Sequence, residues 1–311
     1  MEFDELKTIP IGERGGKVTL AAMAKRYQEG SGIAGWMDSL PRLLAADHFR
    51  AVVDAMLNAR ALGRAILWGL GGHVIKCGLA PVLLDLMRRG FVSAFVMNGA
   101  AAIHDFEIGI AGHTSEDVEA VLPDGRFGAA EETGREMNDA IVSGVAEGLG
   151  MGEALGARLD RIADPRFADY CVVLGAWRAA VPVTVHVAFG TDTPHTHPRA
   201  DGASLGEATH RDFRLLCSLM RDLHVGGVYL NAGSAVVLPE VFLKCVSAVR
   251  NLGNPLARFT TVNLDFLQHY RPKVNVVERP HAQREGKGYS ITGHHELMIP
   301  LLAAALIERS E

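Results

Sequence analysis

The stretch RAILWGLGGHVIKCG, residues 64–78, decides how the rest of the chain is read. Arg64–Trp68 is a short apolar run that ends in glycine, which predicts a buried strand. It enters Gly69-Leu70-Gly71-Gly72, a turn whose missing side chains let backbone amides approach a ligand. A helix is expected over 74–89, and its amino end favours an anion. Upstream, Phe49, Val52, Val53, Met56 and Leu57 recur at helical spacing across 47–62. Further strands are expected over 92–97, 182–188, 225–230 and 258–263, with helices over 205–223 and 239–251 between the later ones. Strands separated by helices predict an α/β fold: a doubly wound, mainly parallel sheet with helices on both faces. Residues 110–130 and 269–290 read as irregular. Residues 1–46 are weakly patterned and read as an N-terminal extension to a single domain over 47–311.

Composition removes several function classes. With 48% apolar and 22% charged residues, the chain has the means to build a packed core. At 311 residues one domain buries ~75% of the surface its unfolded chain exposes. The 31 Lys+Arg against 36 Asp+Glu give a net charge of −5, the wrong sign for binding nucleic acid through a basic field. No apolar run reaches the roughly 18–20 residues that span a bilayer, so no membrane partner is expected. The start, MEFDELKTIP, has no apolar signal-peptide core. Cys77, Cys171, Cys217 and Cys245 stand far apart without a CxxC pair, the usage of a cytoplasmic protein with reduced thiols.

In open parallel sheets ligands bind beyond the carboxyl ends of the strands, so the segments that follow each strand hold the candidates. After the second strand comes NGAAAIHDFE, residues 98–107, where small residues precede His104, Asp105 and Glu107. A histidine beside carboxylates suits a general base; a helix-capping aspartate with a core histidine is the plainer reading. After the strand over 182–188 comes GTDTPHTHPRADGASLGEATHRDF, residues 190–213. His195 and His197 alternate on an extended segment, and with His186 and Asp192 they suggest a metal-dependent hydrolase. Alternatively the segment is a loop feeding a helix, with Ser204 as N-cap and Glu207 at the capping-box position. Lys287, between two glycines, reads as a mobile lysine or as a surface residue. Thr292-Gly293-His294-His295-Glu296 then leads into an apolar helix.

The serial order of these turns resembles deoxyhypusine synthase and its relatives, which share an NAD-binding α/β fold, from about residue 47 onward. ILWGLGGHVIKCGL is similar to that family's nucleotide-touching strand–turn–helix, and FVMNGAAAIHDFE to its segment ending in small residues and acids. PVTVHVAFGTD with ADGASLGE, GSAVVLPEVFLKCVSAVRNLG and ITGHHELMIPLLAAAL resemble its later segments. Ala102–Glu107 also resembles a turn in the NAD-binding domain of archaeal-type ornithine cyclodeaminase. The resemblance implies NAD held by Gly71, Gly72, His73, Asn98, Gly99, Asp201, Gly202, Gly233, Ser234, Thr292, Gly293 and His294. It further implies Glu207 holding an ammonium group; His104 is assigned as general acid/base oriented by Asp105 or Glu107, and Lys287, a few residues out of register with the family's lysine, as a candidate for imine formation. The family's histidine pair is replaced by Pro239-Glu240 and its Trp-Gly-Lys segment by Tyr270-Arg271-Pro272. Arg271, Arg279 and Arg284 suggest a substrate carboxylate. The expected function is an NAD-dependent enzyme that transiently oxidises a small amine or amino acid, in deamination, cyclisation or transfer. A spermidine-dependent aminobutyl transferase and the metal-dependent hydrolase are the alternatives. A homo-oligomer, a tetramer, is expected.

Overall fold

Apolar side chains on both sides of every central strand require a sheet covered on two faces, and that is the architecture of the computed structural model, which describes residues 2–310. The strands are β1 (Ile66–Leu70), β2 (Ala94–Asn98), β3 (Val183–His186), β4 (Val228–Ala232), β5 (Thr260–Asp265) and β6 (Lys287–Thr292). All five pairings are parallel, in the order β3-β2-β1-β4-β5-β6, with Trp68 opposite both Phe95 and Leu230. The chain winds outward from β1 to β3, then returns to lay β4 against the other side of β1. Successive connections therefore diverge between β1 and β4, where a crevice opens at the carboxyl ends.

Helices α1 (Gly32–Ser39) and α2 (Leu44–Ala61) precede β1, and α3 (Gly72–Lys76) with α4 (Ala80–Arg88) joins it to β2. The long β2–β3 connection carries α5 (Gly99–Ala111), α6 (Val118–Val121), α7 (Glu131–Glu147), α8 (Met151–Ile162) and α9 (Val172–Arg178). Then follow α10 (Gly202–Leu219), α11 (Val237–Asn251), the single turn α12 (Tyr270–Pro272) and α13 (His295–Glu308). Trp68, Leu70, Phe95, Met97, Leu230 and Val262 pack under α2, α4, α5 and α13. Leu67, Val96 and Tyr229 pack under α10 and α11 with Leu216, Leu238 and Phe242. Among the described residues no helix is long and apolar enough to cross a membrane.

Three readings of the sequence change. The helix expected over 74–89 is two helices, broken at Gly78, whose φ of +75° suits glycine. Residues 131–178, left without elements, form α7, α8 and α9. The stretch 269–290 contains most of β6, a partly exposed edge strand; a Cβ at Gly288 would lie 1.9 Å from the Val277 carbonyl oxygen. The weak pattern before residue 47 also includes a docked helix. Ile33 and Ala34 at the start of α1 donate backbone N–H groups to the Glu308 carboxylate at 3.1 and 2.9 Å.

Two buried aspartates fasten the β2–β3 helices. Asp105 accepts from the backbone N–H groups of Val172 and Val173, both at 2.7 Å, at the start of α9. Asp212 accepts from Gly152 at 2.9 Å and Val185 at 2.6 Å, tying α8 and β3 to α10. A carboxylate at a helix amino end satisfies orphan donors and complements the helix dipole.

Candidate active site

The turn after β1 and the turn after β4 touch. Gly71 donates its N–H to the Ala232 carbonyl at 2.8 Å, and a Cβ at Gly71 would lie 2.0 Å from the Gly233 oxygen. Gly233 itself has φ +71°. Ser234 is buried, and its hydroxyl accepts from Leu238 N–H at 3.2 Å at the start of α11. Two acceptors at this end of the sheet are buried and unpartnered. Asn231 spends its amide N–H groups on the Ser234 carbonyl and Asn263, which leaves Oδ1 unbonded. His295 Nε2 donates to the Leu264 carbonyl at 3.1 Å, so Nδ1 keeps an unpaired lone pair. Buried acceptors without donors carry a desolvation cost, and a ligand bearing hydroxyl groups would relieve it. Around them Phe266 lies 5.7 Å, ring to ring, from both His73 and His294.

The glycine turn also meets His104. A Cβ at Gly72 would come within 3.2 Å of His104 Cδ2, the ring carbon bonded to Nε2. On the other side of the ring, Nδ1 lies 2.7 Å from Thr114 Oγ1, and the Thr114 hydroxyl donates to Glu107. A hydroxyl has one proton to give, so Thr114 accepts from His104 Nδ1–H and Nε2 is left unprotonated. Thr133 donates to the other Glu107 oxygen at 3.0 Å. The carboxylate is thus fixed by two threonines, neither marked by any sequence pattern. Burial pushes the His104 imidazolium below its ordinary 6.5, against the opposing pull of Glu107.

His104 and Glu107 line a cavity of about 720 Å³ between α3, α5, the segment over 113–133 with α6 and the start of α7, and residues 191–193. Glu107, Glu116, Glu132 and Asp192 supply four carboxyl groups to its wall, against one lysine, Lys76. Asp192 sits against the amino end of α5, where a Cβ on Gly99 would fall 2.0 Å from its Oδ2. That oxygen is buried and has no hydrogen-bond partner, and burial raises the carboxyl pKa. Asn98, the N-cap of α5, accepts from Ala101 N–H at 2.9 Å.

Several expected site residues are placed elsewhere. Asp105 points away from His104 into the core, where Val172, Val173 and Cys171 take its oxygens; it does not orient the imidazole. Asp201, rather than Ser204, is the N-cap of α10: its carboxylate accepts from Ser204 N–H at 2.7 Å, with Gly202 as the first helical residue. Glu207 is exposed and pairs with Arg211 at 2.6 Å, one helical turn on, outside the cavity. Lys287 is the first residue of β6, opposite Thr260, at the amino edge of a parallel sheet whose crevice is at the carboxyl edge. Thr292 and Gly293 do close β6 at the carboxyl edge, ahead of His294. Arg271 pairs with Glu240, and Arg279 donates to Asn275 at 2.8 Å.

The histidines of the proposed hydrolase centre diverge. His186 is buried against Thr184 at 3.0 Å, with a pKa lowered by burial to about 3. His195 stacks on Phe189 with ring centres 5.5 Å apart, and His197 bonds to Glu131 at 3.2 Å. Among the described residues the one group of three or more histidine, cysteine or acidic side chains with converging ligand atoms is His73, Cys77 and Glu296.

No protein-family profile and no curated protein matches the sequence. The fold has solved counterparts. A conserved protein from Methanococcus maripaludis, provisionally described as LOR/SDH, superposes with a TM-score of 0.53 at 14% identity, over 86% of this chain and 71% of that one. A protein provisionally described as a deoxyhypusine synthase from Entamoeba histolytica gives 0.53 at 11% identity, over 93% and 97%. AgrE, solved as a ternary complex with ornithine and NAD+, gives 0.51 at 14% identity over 87% of this chain; the chain spans 34% of AgrE's length. The fold is deoxyhypusine synthase-like, and these identities speak to fold alone.

Proposed function

We propose that the protein is an NAD-linked enzyme that oxidises a small amine or amino acid, with His104 as its general base. The observation that carries this reading is the His104–Thr114–Glu107 relay, which leaves Nε2 as the free nitrogen of a histidine that lines the cavity and packs against Gly72. Ornithine and NAD+ bound to the structurally similar AgrE point the same way. The residues present fit the cofactor. Gly71, Gly72 and Gly233 admit close backbone approach, and Asn231 Oδ1 and His295 Nδ1 offer buried acceptors to ribose hydroxyls. The backbone of His73, Ser234 and the backbone of the Thr292–His294 turn would complete the cradle, which leaves the His73 and His294 side chains free of the nucleotide. When bound, NAD supplies the acceptor for a hydride from the carbon that bears the amine.

The chain's own groups manage the protons. A substrate ammonium enters a cavity whose four carboxyl groups outnumber its single lysine. His104 Nε2 takes a proton from the substrate nitrogen, and Glu107 stabilises the resulting imidazolium through Thr114. Asp192, against the start of α5 and in the cavity lining, would pair with the cationic substrate, the role the sequence reading gave to Glu207.

The test is thermal unfolding of the purified chain with and without NAD and NADP, followed by a screen of amines and amino acids for NADH formation. A ligand that binds only the native state stabilises it by ~2.7 kcal/mol at a hundredfold excess over Kd. Stabilisation by NAD followed by NADH production from an amine is the expected result. No shift with either nucleotide, from protein shown to be free of bound nucleotide, overturns the proposal.

A further inference from the structure

We propose that His73, Cys77 and Glu296 form a binding site for one divalent transition-metal ion of the zinc type, joining α3 to α13 at the rim of the crevice. His73 in α3 and Cys77, the C-cap of that helix, are four residues apart, and the Cys77 N–H donates to the His73 carbonyl, so the two side chains fall on one face. Glu296 is the second residue of α13, 219 positions further along the chain from Cys77. The fold nevertheless brings one donor atom from each to within 4.8 Å of the other two. Cys77 Sγ donates to Glu296 Oε2 at 3.6 Å, so a shared proton already lies in the gap that a cation would fill.

The donor set selects the ion. Magnesium and calcium take oxygen ligands, whereas nitrogen, thiolate sulfur and carboxylate oxygen together suit a borderline-soft ion such as Zn2+. Three protein ligands leave a fourth position for water or for His294, whose Nδ1 lies 3.8 Å from Glu296 Oε1. The Phe266 ring, against His73 and His294, gives the site an apolar wall. Binding displaces the Cys77 thiol proton to solvent and leaves the sulfur as a metal-bound thiolate, with no change of oxidation state. The ion would tie the helix that begins at the Gly71–Gly72 turn to the helix after β6. The argument rests on these side chains and not on nucleotide binding.

Cobalt(II) is a spectroscopic stand-in for zinc. Titration of the purified full chain with Co2+ should saturate at one ion per chain. Thiolate-to-cobalt charge-transfer absorption should appear in the near ultraviolet, and Zn2+ should abolish it by displacement. Cys77→Ser should remove that absorption while far-ultraviolet circular dichroism is unchanged. His73→Ala and Glu296→Gln should each weaken binding by about tenfold or more. A Cys217→Ser/Cys245→Ala double variant, which removes the neighbouring thiol pair on α10 and α11, should leave it intact. Wild type without a thiolate band, or a band that survives Cys77→Ser, overturns the site. Because the readout is metal absorption without nucleotide, its failure is separate from any failure of NAD binding.

Discussion

Thr114 settles which nitrogen of His104 carries a proton, and so fixes what the imidazole can do. Its hydroxyl serves Glu107 and receives Nδ1–H, which leaves Nε2 as the nitrogen free to accept a proton, the property the proposed reaction needs. His104→Ala should reduce turnover by about 10²–10⁴-fold while NAD affinity, read by titration, stays within a few-fold. Near-normal turnover in that variant would remove His104 from the mechanism. Because burial holds the His104 pKa below 6.5, kcat/KM should rise along an acid limb below that value and be level at neutral pH. Glu107 favours the imidazolium, so Glu107→Gln should move the limb to lower pH, measurable in a pH–rate profile. A limb that stays in place would mean another group titrates. The sequence made His104 and Glu107 legible as a pair, but it offered Asp105 equally. Only α5's packing against α9 turns one carboxylate to the core and the other to the cavity.

At the scale of elements, the decisive contact is between two turns. Gly71 follows β1 and Gly233 follows β4, and any Cβ at Gly71 meets backbone rather than a side chain that can swing aside. Gly71→Ala should therefore destabilise the fold by about 1–3 kcal/mol and weaken nucleotide-dependent thermal stabilisation. Unchanged melting temperatures with and without NAD would contradict that. The helix amino ends follow the same logic. Asp105, Asp201 and Asp212 each accept from an orphan N–H at a helix start, and for Asp105 and Asp212 that donor comes from elsewhere in the chain. The cap at Asp201 is local, three residues from its donor, and still escaped the sequence reading, which placed the cap at Ser204. Asp105 and Asp212 act across 67 and 60 residues, a distance over which sequence carries no signal.

For the molecule as a whole, buried titratable groups pull stability in opposite directions with pH. Burial raises the Asp105 carboxyl to about 6 and the Asp212 carboxyl to about 7. Each is protonated in the folded chain at pH values where the unfolded chain has released its proton. Their contribution is therefore present below about 4 and is lost as pH rises toward 6–7. His186 and His281 are lowered by burial to about 3 and about 4, so theirs is present above 6.5 and is lost as pH falls. Asp212 accepts both bonds through Oδ2 while Oδ1 is buried and unbonded, so asparagine can keep the two contacts. Asp212→Asn removes a contribution that is lost as pH rises, so between pH 4 and 7 its stability should rise with pH relative to wild type. Denaturant unfolding across that range decides it, and a profile parallel to wild type would show that Asp212 is not the source.

Residue spacing is enough to give the alternation of strands and helices, the glycine turns and the grouping of His104 with Glu107. These depend on spacing within one element or on a neighbouring turn, and periodicity reports them directly. The edge strand β6 was hidden because a half-exposed strand carries little apolar contrast, whereas α7 and α8 do carry apolar faces at helical spacing, such as Met137 with Ile141 and Leu155 with Leu159, that were legible in principle. Tertiary structure alone decided that Lys287 lies at the wrong end of the sheet for the crevice, since a lysine between glycines reads alike at either end of a strand. It alone joined Thr114 and Thr133 to Glu107, and Glu296 to Cys77. The Thr133–Glu107 and Cys77–Glu296 contacts close loops of 26 and 219 residues, and Thr114 reaches Glu107 only because the chain turns back after α5.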